Sequence, residues 1–148
     1  MRISQKGVDL IKHYEGFRST PYYCSAGKLT IGYGHVILAH ELETLKKVTK
    51  EEAEKILKKD VFQAEVGVAR LVRVPLKQHQ YDALVSFVFN LGAMRLEGST
   101  LLVRVNQGYH DEAAEEFKRW VYAGGKKVKG LILRREVESA IYQYGYKE

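Results

Sequence analysis

The chain has 148 residues, the size of one domain that buries roughly 70% of its unfolded surface. With 45% hydrophobic and 28% charged residues it is neither a disordered polymer nor a membrane-embedded protein. A net charge of +6 and a pI near 9.3 favour an anionic partner, and they do not choose among nucleic acid, anionic lipid and acidic polysaccharide.

The opening segment MRISQKGVDLIKHYE lacks the apolar core of a signal peptide and carries Asp9, Lys12 and Glu15 in its place. No stretch approaches the roughly 18 apolar residues that span a bilayer, so no stable membrane insertion is expected. Ser4 is a candidate N-cap for a first helix bearing Val8, Ile11 and Tyr14, with Gly16 as its stop. From Thr20 to Val36 the pattern becomes that of a hairpin with a third short strand. Pro21, Tyr22 and Tyr23 lead to a Ser25-Ala26-Gly27 turn, then to Leu29, Thr30, Ile31 and alternating glycines. Residues 37 to 48 read mostly as loop.

Thr49 and Glu52 form a capping-box pair that opens a helix of about 22 residues and about 33 Å. Its apolar face is Ala53, Ile56, Leu57, Val61, Ala64, Val68 and Leu71, and Pro75 closes it. The segment from Gln78 to Leu91 is apolar nearly all round and ends at Gly92, the pattern of a buried central helix. Ser99 or Thr100 is read as the cap of a short helix before Gly108, and Asp111 as the cap of the next, through Phe117 and Trp120. Gly124 and Gly125 break the chain, Lys126 to Lys129 read as a basic loop, and a last helix runs from Leu131 to Tyr144. The expected architecture is a single α+β domain, predominantly helical. A small β-containing lobe (residues 13–60) faces a larger helical lobe (72–148) on which residues 1–12 pack, and a long helix joins them.

One constellation suggests chemistry. Glycosidic cleavage needs an acid for the leaving oxygen and a second group for the opposite face of the sugar. Glu15 sits between Tyr14 and Phe17 at a helix end, where apolar neighbours and the negative helix pole favour the protonated form that an acid needs. Each residue also has a plainer reading. Glu15 taken alone is a solvated helix-end side chain, Cys24 a small buried hydrophobe, Thr30 an ordinary strand residue, and His35 a structural histidine bonded to a carboxylate. Cys24 is the only cysteine, so no internal disulfide forms. The histidines His13, His35, His40, His79 and His110 have no metal-ligand spacing, so no metal or other cofactor is expected.

Glu15, Cys24 and Thr30 match the Glu-x8-(Asp or Cys)-x5-Thr triad of the phage-type lysozymes, the family of bacteriophage endolysins that includes the lambdoid phage lysozymes. TIGYGH at Thr30 to His35, QYDALVSFVFNLG ending at Gly92, and WVYAGGKKVKGLILRREVE from Trp120 extend the match over almost the whole chain. The resemblance implies an N-acetylmuramidase that cleaves the β-1,4 bond between N-acetylmuramic acid and N-acetylglucosamine in bacterial peptidoglycan. Glu15 would be the acid, and Cys24 and Thr30 would handle the attacking water. Gly34, His35, Val36 and Phe89 would line the cleft, Val36 and Phe89 as sugar contacts, with Ser99 or Thr100 as a further substrate contact.

The resemblance does not single out which of Lys126, Lys127, Arg134 and Arg135 forms a cleft ion pair. It also implies a monomer that waits in the host cytoplasm for a holin to release it to the wall. Cysteine at position 24 has consequences of its own. A thiol next to a carboxylate is expected to stay mostly protonated, which favours a held water and inversion over thiolate attack and retention. Two other functions compete with the enzyme: a non-catalytic peptidoglycan-binding module, and a nucleic-acid-binding domain. Against nucleic acid, the basic residues are spread over all helices and mixed with 18 acidic ones.

Overall fold

Ser4 caps the first helix: its side chain accepts the Gly7 amide at 3.1 Å, one of the donors that a helix start leaves without a partner. The computed structural model describes residues 1–147. Helix α1 (Gln5–Glu15) leads into strands β1 (Arg18–Tyr23), β2 (Leu29–Gly32) and β3 (His35–Val36), then a single 3-10 turn (Ala39–Glu41). The long helix α2 (Lys50–Leu71) follows, then α3 (Gln78–Leu91), α4 (Ala93–Glu97), α5 (Thr100–Gln107) and α6 (His110–Glu116). A second 3-10 turn (Phe117–Arg119), strands β4 (Tyr122–Ala123) and β5 (Lys126–Lys127), and helix α7 (Lys129–Tyr144) complete the order. No helix among the described residues is long and apolar enough to cross a membrane.

The three-stranded sheet has the order β1-β2-β3, antiparallel throughout, with Tyr22 opposite Thr30 and Ile31 opposite His35. The register slips between Arg18 and Tyr22, where Pro21 interrupts β1. β1 is an edge strand, the one place where a residue without an N–H costs no ladder bond.

Two hydrophobic clusters divide the molecule, and α2 belongs to both. Ile31, Val48 and Ala53 form a small one under the sheet, flanked by Phe17, Ile37, Leu45 and Ile56. The larger one takes Leu57, Val61, Ala64, Val68 and Leu71 from α2 and is centred on α3, whose residues from Gln80 to Val88 are all buried. Helix α3 packs against α7, α2 and α1. Each large apolar side chain so buried contributes about 1.5–3 kcal/mol, which is why the helix that is apolar all round takes the centre. A buried carboxylate, Asp82 of α3, fixes both chain ends to this core. It accepts from the Ser4 amide at 3.1 Å, the Ser4 hydroxyl, Gln78 Nε2 at 2.9 Å and the Tyr146 hydroxyl at 2.6 Å.

Several boundaries differ from the sequence expectation. The basic loop is a hairpin: Gly124 and Gly125 have φ of 58° and 79°, the left-handed pair that a tight two-residue turn between β4 and β5 needs. Helix α7 starts at Lys129, ahead of Leu131. Asp111 lies in the first turn of α6, where its charge complements the helix dipole, and Tyr109 precedes it as the N-cap. Trp120 lies beyond the 3-10 turn that ends that segment. Helix α4 was not expected, since five residues between two glycines are too few to show a period; buried Leu96 anchors it.

His35 ties the sheet to the long helix. Its Nδ1 lies 2.8 Å from Asp60 of α2 and its Nε2 lies 2.9 Å from Glu41 of the 3-10 turn. The Asp60 hydrogen bond outweighs burial, and with Glu41 it raises the imidazole to about 9. Burial pushes the Glu41 carboxyl up, but the Leu38 amide and His35 prevail and hold it below its usual value. A raised histidine pKa gives stability that is complete below the unfolded value near 6.5 and is lost as pH rises through about 9. His35→Asn is therefore expected to be less stable than wild type by about 2 kcal/mol near pH 6, a figure discounted for solvent screening. Urea unfolding across the pH range checks this: the gap should shrink as the pH passes about 9 and, as Glu41 becomes protonated, at acid pH.

Candidate active site

Glu15 is the last residue of α1. Gly16, at φ 66°, returns its amide to the Lys12 carbonyl at 2.9 Å and turns the chain into β1, leaving the Glu15 side chain between the sheet and the helical body. There it meets Arg134 of α7, whose Nη1 donates to Glu15 Oε2 at 2.8 Å. Only 18% of the Glu15 side chain and 5% of the Arg134 side chain are exposed. Arg134 is held in turn by the Ser86 carbonyl and hydroxyl, both 3.3 Å from Nη2, by Glu138 Oε2 at 3.2 Å from Nε, and by the Tyr14 ring beneath its guanidinium. The sequence reading supplied the helix pole and the apolar neighbours but left open which basic residue forms the ion pair. The structure assigns it to Arg134.

Gly34 closes over the carboxyl group from the other side. Its φ is 70°, and a Cβ placed there would fall 2.7 Å from Glu15 Cδ, so only a bare backbone fits. Tyr22 of β1 feels the charge of Glu15 from the hairpin. Its hydroxyl is raised mainly by burial and then by the charge of Glu15, with Cys24 adding to it and Arg18 opposing.

Cys24 follows β1 at a tight turn in which its amide donates to the Lys28 carbonyl at 2.9 Å and the Gly27 amide donates to its own carbonyl at 2.8 Å. Burial pushes the thiol up, but the Lys28 and Ala26 backbone, the Thr30 hydroxyl and its own amide outweigh it. The thiol is therefore held below its ordinary value, the reverse of the expectation from a neighbouring carboxylate, because hydrogen bonds from the turn backbone and Thr30 act on it and Glu15 is not among the causes that set it. Thr30, buried in β2, donates its hydroxyl to the Lys28 carbonyl at 2.8 Å and so supports the same turn.

Beyond Gly34 a cleft of about 610 Å³ runs between the sheet and the helical lobe. Gly34, His35 and Val36 form one wall, Phe89 and Ala93 the other, and Asp60 and Gln63 of α2 lie along the base. Val36 is exposed and Phe89 half-buried, so both offer apolar surface to the cleft. Both nitrogens of His35 are spent on Asp60 and Glu41, so it lines the wall with no free donor or acceptor for a sugar. Ser99 is buried as the cap of α5, with its hydroxyl on the Leu96 carbonyl at 2.6 Å, and it does not line the cleft. Thr100 is exposed and also lies outside the lining.

Glu138 lies outside the residues that the sequence reading singles out, and Arg135 enters it only as one of four candidates for the cleft ion pair. Their signal was in the sequence: positions 134, 135, 138, 141 and 142 fall on one helical face, and the first three carry charge where a core stripe carries apolar groups. All five are buried.

The phage lysozyme family model matches residues 12–138. The chain belongs to the phage lysozyme family. The endolysin of Acyrthosiphon pisum secondary endosymbiont phage 1 is 43% identical over 97% of this chain and 99% of its own length. The endolysin of Bacillus phage B103 is 42% identical over 98% of this chain, which spans only 55% of that longer protein. Among solved structures, an endolysin from Escherichia coli O157:H7 phage FAHEc1 superposes with a TM-score of 0.88 at 37% identity, covering 100% of this chain and 97% of the other. This phage lysozyme is thus a lysozyme-type hydrolase by family and fold.

A side chain at position 34 would displace the Glu15 carboxyl group from its ion pair. If Glu15 is the group that acts on substrate, Gly34→Ala is expected to lower the rate of cell-wall turbidity loss by about 100-fold, the cost of misplacing such a group by about 1 Å. Circular dichroism should show the helices unchanged.

Proposed function

We propose that this lysozyme is an endolysin. It would hydrolyse the β-1,4 bond between N-acetylmuramic acid and N-acetylglucosamine in bacterial peptidoglycan and so cause host lysis. The observation that carries the reading is the mostly buried Glu15 carboxyl, held between Arg134 and the bare backbone of Gly34, which itself lines an open cleft. Glu15 donates its proton to the bridging oxygen, which leaves with one sugar. Water attacks the anomeric carbon from the opposite face, positioned by Cys24 and Thr30. The depressed thiol pKa puts more of Cys24 in the thiolate form than in a free cysteine, and that thiolate takes the proton that the attacking water gives up. Val36 and Phe89 pack against the apolar faces of the sugars, and the net charge of +6 attracts an anionic wall. The protein acts as a monomer, accumulates in the host cytoplasm, and reaches the wall when a holin opens the membrane.

The same thiol property favours a second route, in which Cys24 attacks as thiolate and a covalent glycosyl-enzyme forms. The first-formed anomer, followed by NMR, separates the two: α product is expected from water attack, and β product would establish the covalent route. Mass spectrometry of digested peptidoglycan tests the reaction class. Reducing N-acetylmuramic acid ends are expected, and anhydro ends would instead mark a lytic transglycosylase. Glu15→Gln should abolish turbidity loss, whereas a module that only binds the wall would be indifferent to it.

A further inference from the structure

Behind the Glu15–Arg134 pair lies a second carboxylate that the reaction does not touch. Glu138 of α7 is fully buried and shared by two guanidiniums. Its Oε2 accepts from Arg134 Nε at 3.2 Å, from Arg135 Nη2 at 3.4 Å and from the Ser86 hydroxyl at 2.5 Å. Its Oε1 lies 2.8 Å from Arg135 Nε, an ion pair too poorly aligned to be a hydrogen bond, so that oxygen and that nitrogen have no other partner. Arg135 is also fully buried, with Nη2 on Asn90 Oδ1 at 2.8 Å, Nη1 on the Trp120 carbonyl at 3.3 Å and its plane against Phe87. Two carboxylates therefore face two guanidiniums in a chain that runs Glu15, Arg134, Glu138, Arg135.

We infer that Glu138 and Arg135 are positioning residues that act through Arg134 to set how its guanidinium is shared with the Glu15 carboxyl group. Arg134 divides its guanidinium between Glu15 and Glu138. Whatever weakens the Glu138 side throws the whole cation onto Glu15, and whatever strengthens it draws the cation away. A buried ion pair rarely adds net stability over apolar packing, so retaining one next to a reacting acid calls for another use. The remaining polar and charged groups around the pair are Tyr14 from α1, Arg18, Tyr22 and Cys24 from the hairpin, and Ser86 and Asn90 from α3. None of them is a carboxylate, so among the described residues Glu138 is the anion that competes with Glu15 for Arg134. The influence reaches across the interface: besides burial, Glu138 raises the Tyr14 hydroxyl while Arg134 and Arg135 lower it, and Glu15 and Arg135 sense each other's charge.

The inference rests on Glu15 being the proton donor, whose loss of its proton sets the alkaline limb of the activity profile. Glu138→Gln should move that limb down by about one pH unit, and Arg135→Gln should move it up by a similar amount. Arg135→Lys, which keeps the charge, should leave it close to wild type. A merely structural role would lower the rate or the melting temperature without moving the limb in opposite directions. Profiles of kcat/KM on purified peptidoglycan, taken at a temperature where circular dichroism shows each variant folded, supply the readout. Opposite shifts support the inference; unmoved limbs, or limbs displaced the same way, overturn it. If only one variant folds, its own sign decides. Should Glu15→Gln keep its activity, the proposed role of Glu15 fails instead, and the two failures are told apart.

Discussion

One ion pair holds the two halves of the site together. Glu15 and Arg134 lie 119 positions apart in sequence, and their 2.8 Å contact pins the end of the first helix to the last. A guanidinium sits this far from water when its N–H groups find partners: Glu15, Ser86 and Glu138 accept from Arg134, and the Tyr14 ring lies against its face. The turn at Gly34 is then shaped around the carboxyl group. Its backbone comes so close that no side chain is tolerated, and the cleft begins on its far side.

The same economy governs the wall that continues from Gly34. His35 stands beside the cleft as a bridge between Asp60 and Glu41, so the strand that carries it is fastened to α2 at one end and to the 3-10 turn at the other. The histidine has a mechanical task, and the apolar side chains of Val36 and Phe89 are left to face the cleft. Fixed ion pairs beside an open groove suit the proposed reaction, which builds up positive charge on a sugar ring.

Local elements were easy to read because their signals are local. The cap at Ser4, the capping box of Thr49 and Glu52, and the all-round apolar run of α3 each announced an element whose existence the structure bears out. Glu15, Cys24 and Thr30 stood out through spacing matched to a family. Harder to read was whatever depended on distant partners. The choice of Arg134 among four basic residues, and the burial of Arg135 and Glu138, arise from α7 packing on α3, and no short window contains that contact. Ser99 shows the converse. A hydroxyl near a helix start can face a ligand or cap the helix, and here the free amide of Leu102 claims it. Cys24 misled through its neighbour: the carboxylate was visible in the sequence, whereas the fold of the turn that directs amides at the sulfur was not.

The unequal division of apolar residues has a thermal consequence. Only Ile31, Val48 and Ala53 are fully withdrawn from water beneath the sheet, against more than a dozen side chains around α3. On warming, amides of the three strands exchange with solvent before those of the central helix, because opening them exposes far less oily surface. The hairpin bearing Cys24 and Thr30 is thus the part of the fold expected to loosen while most of the backbone is still coiled.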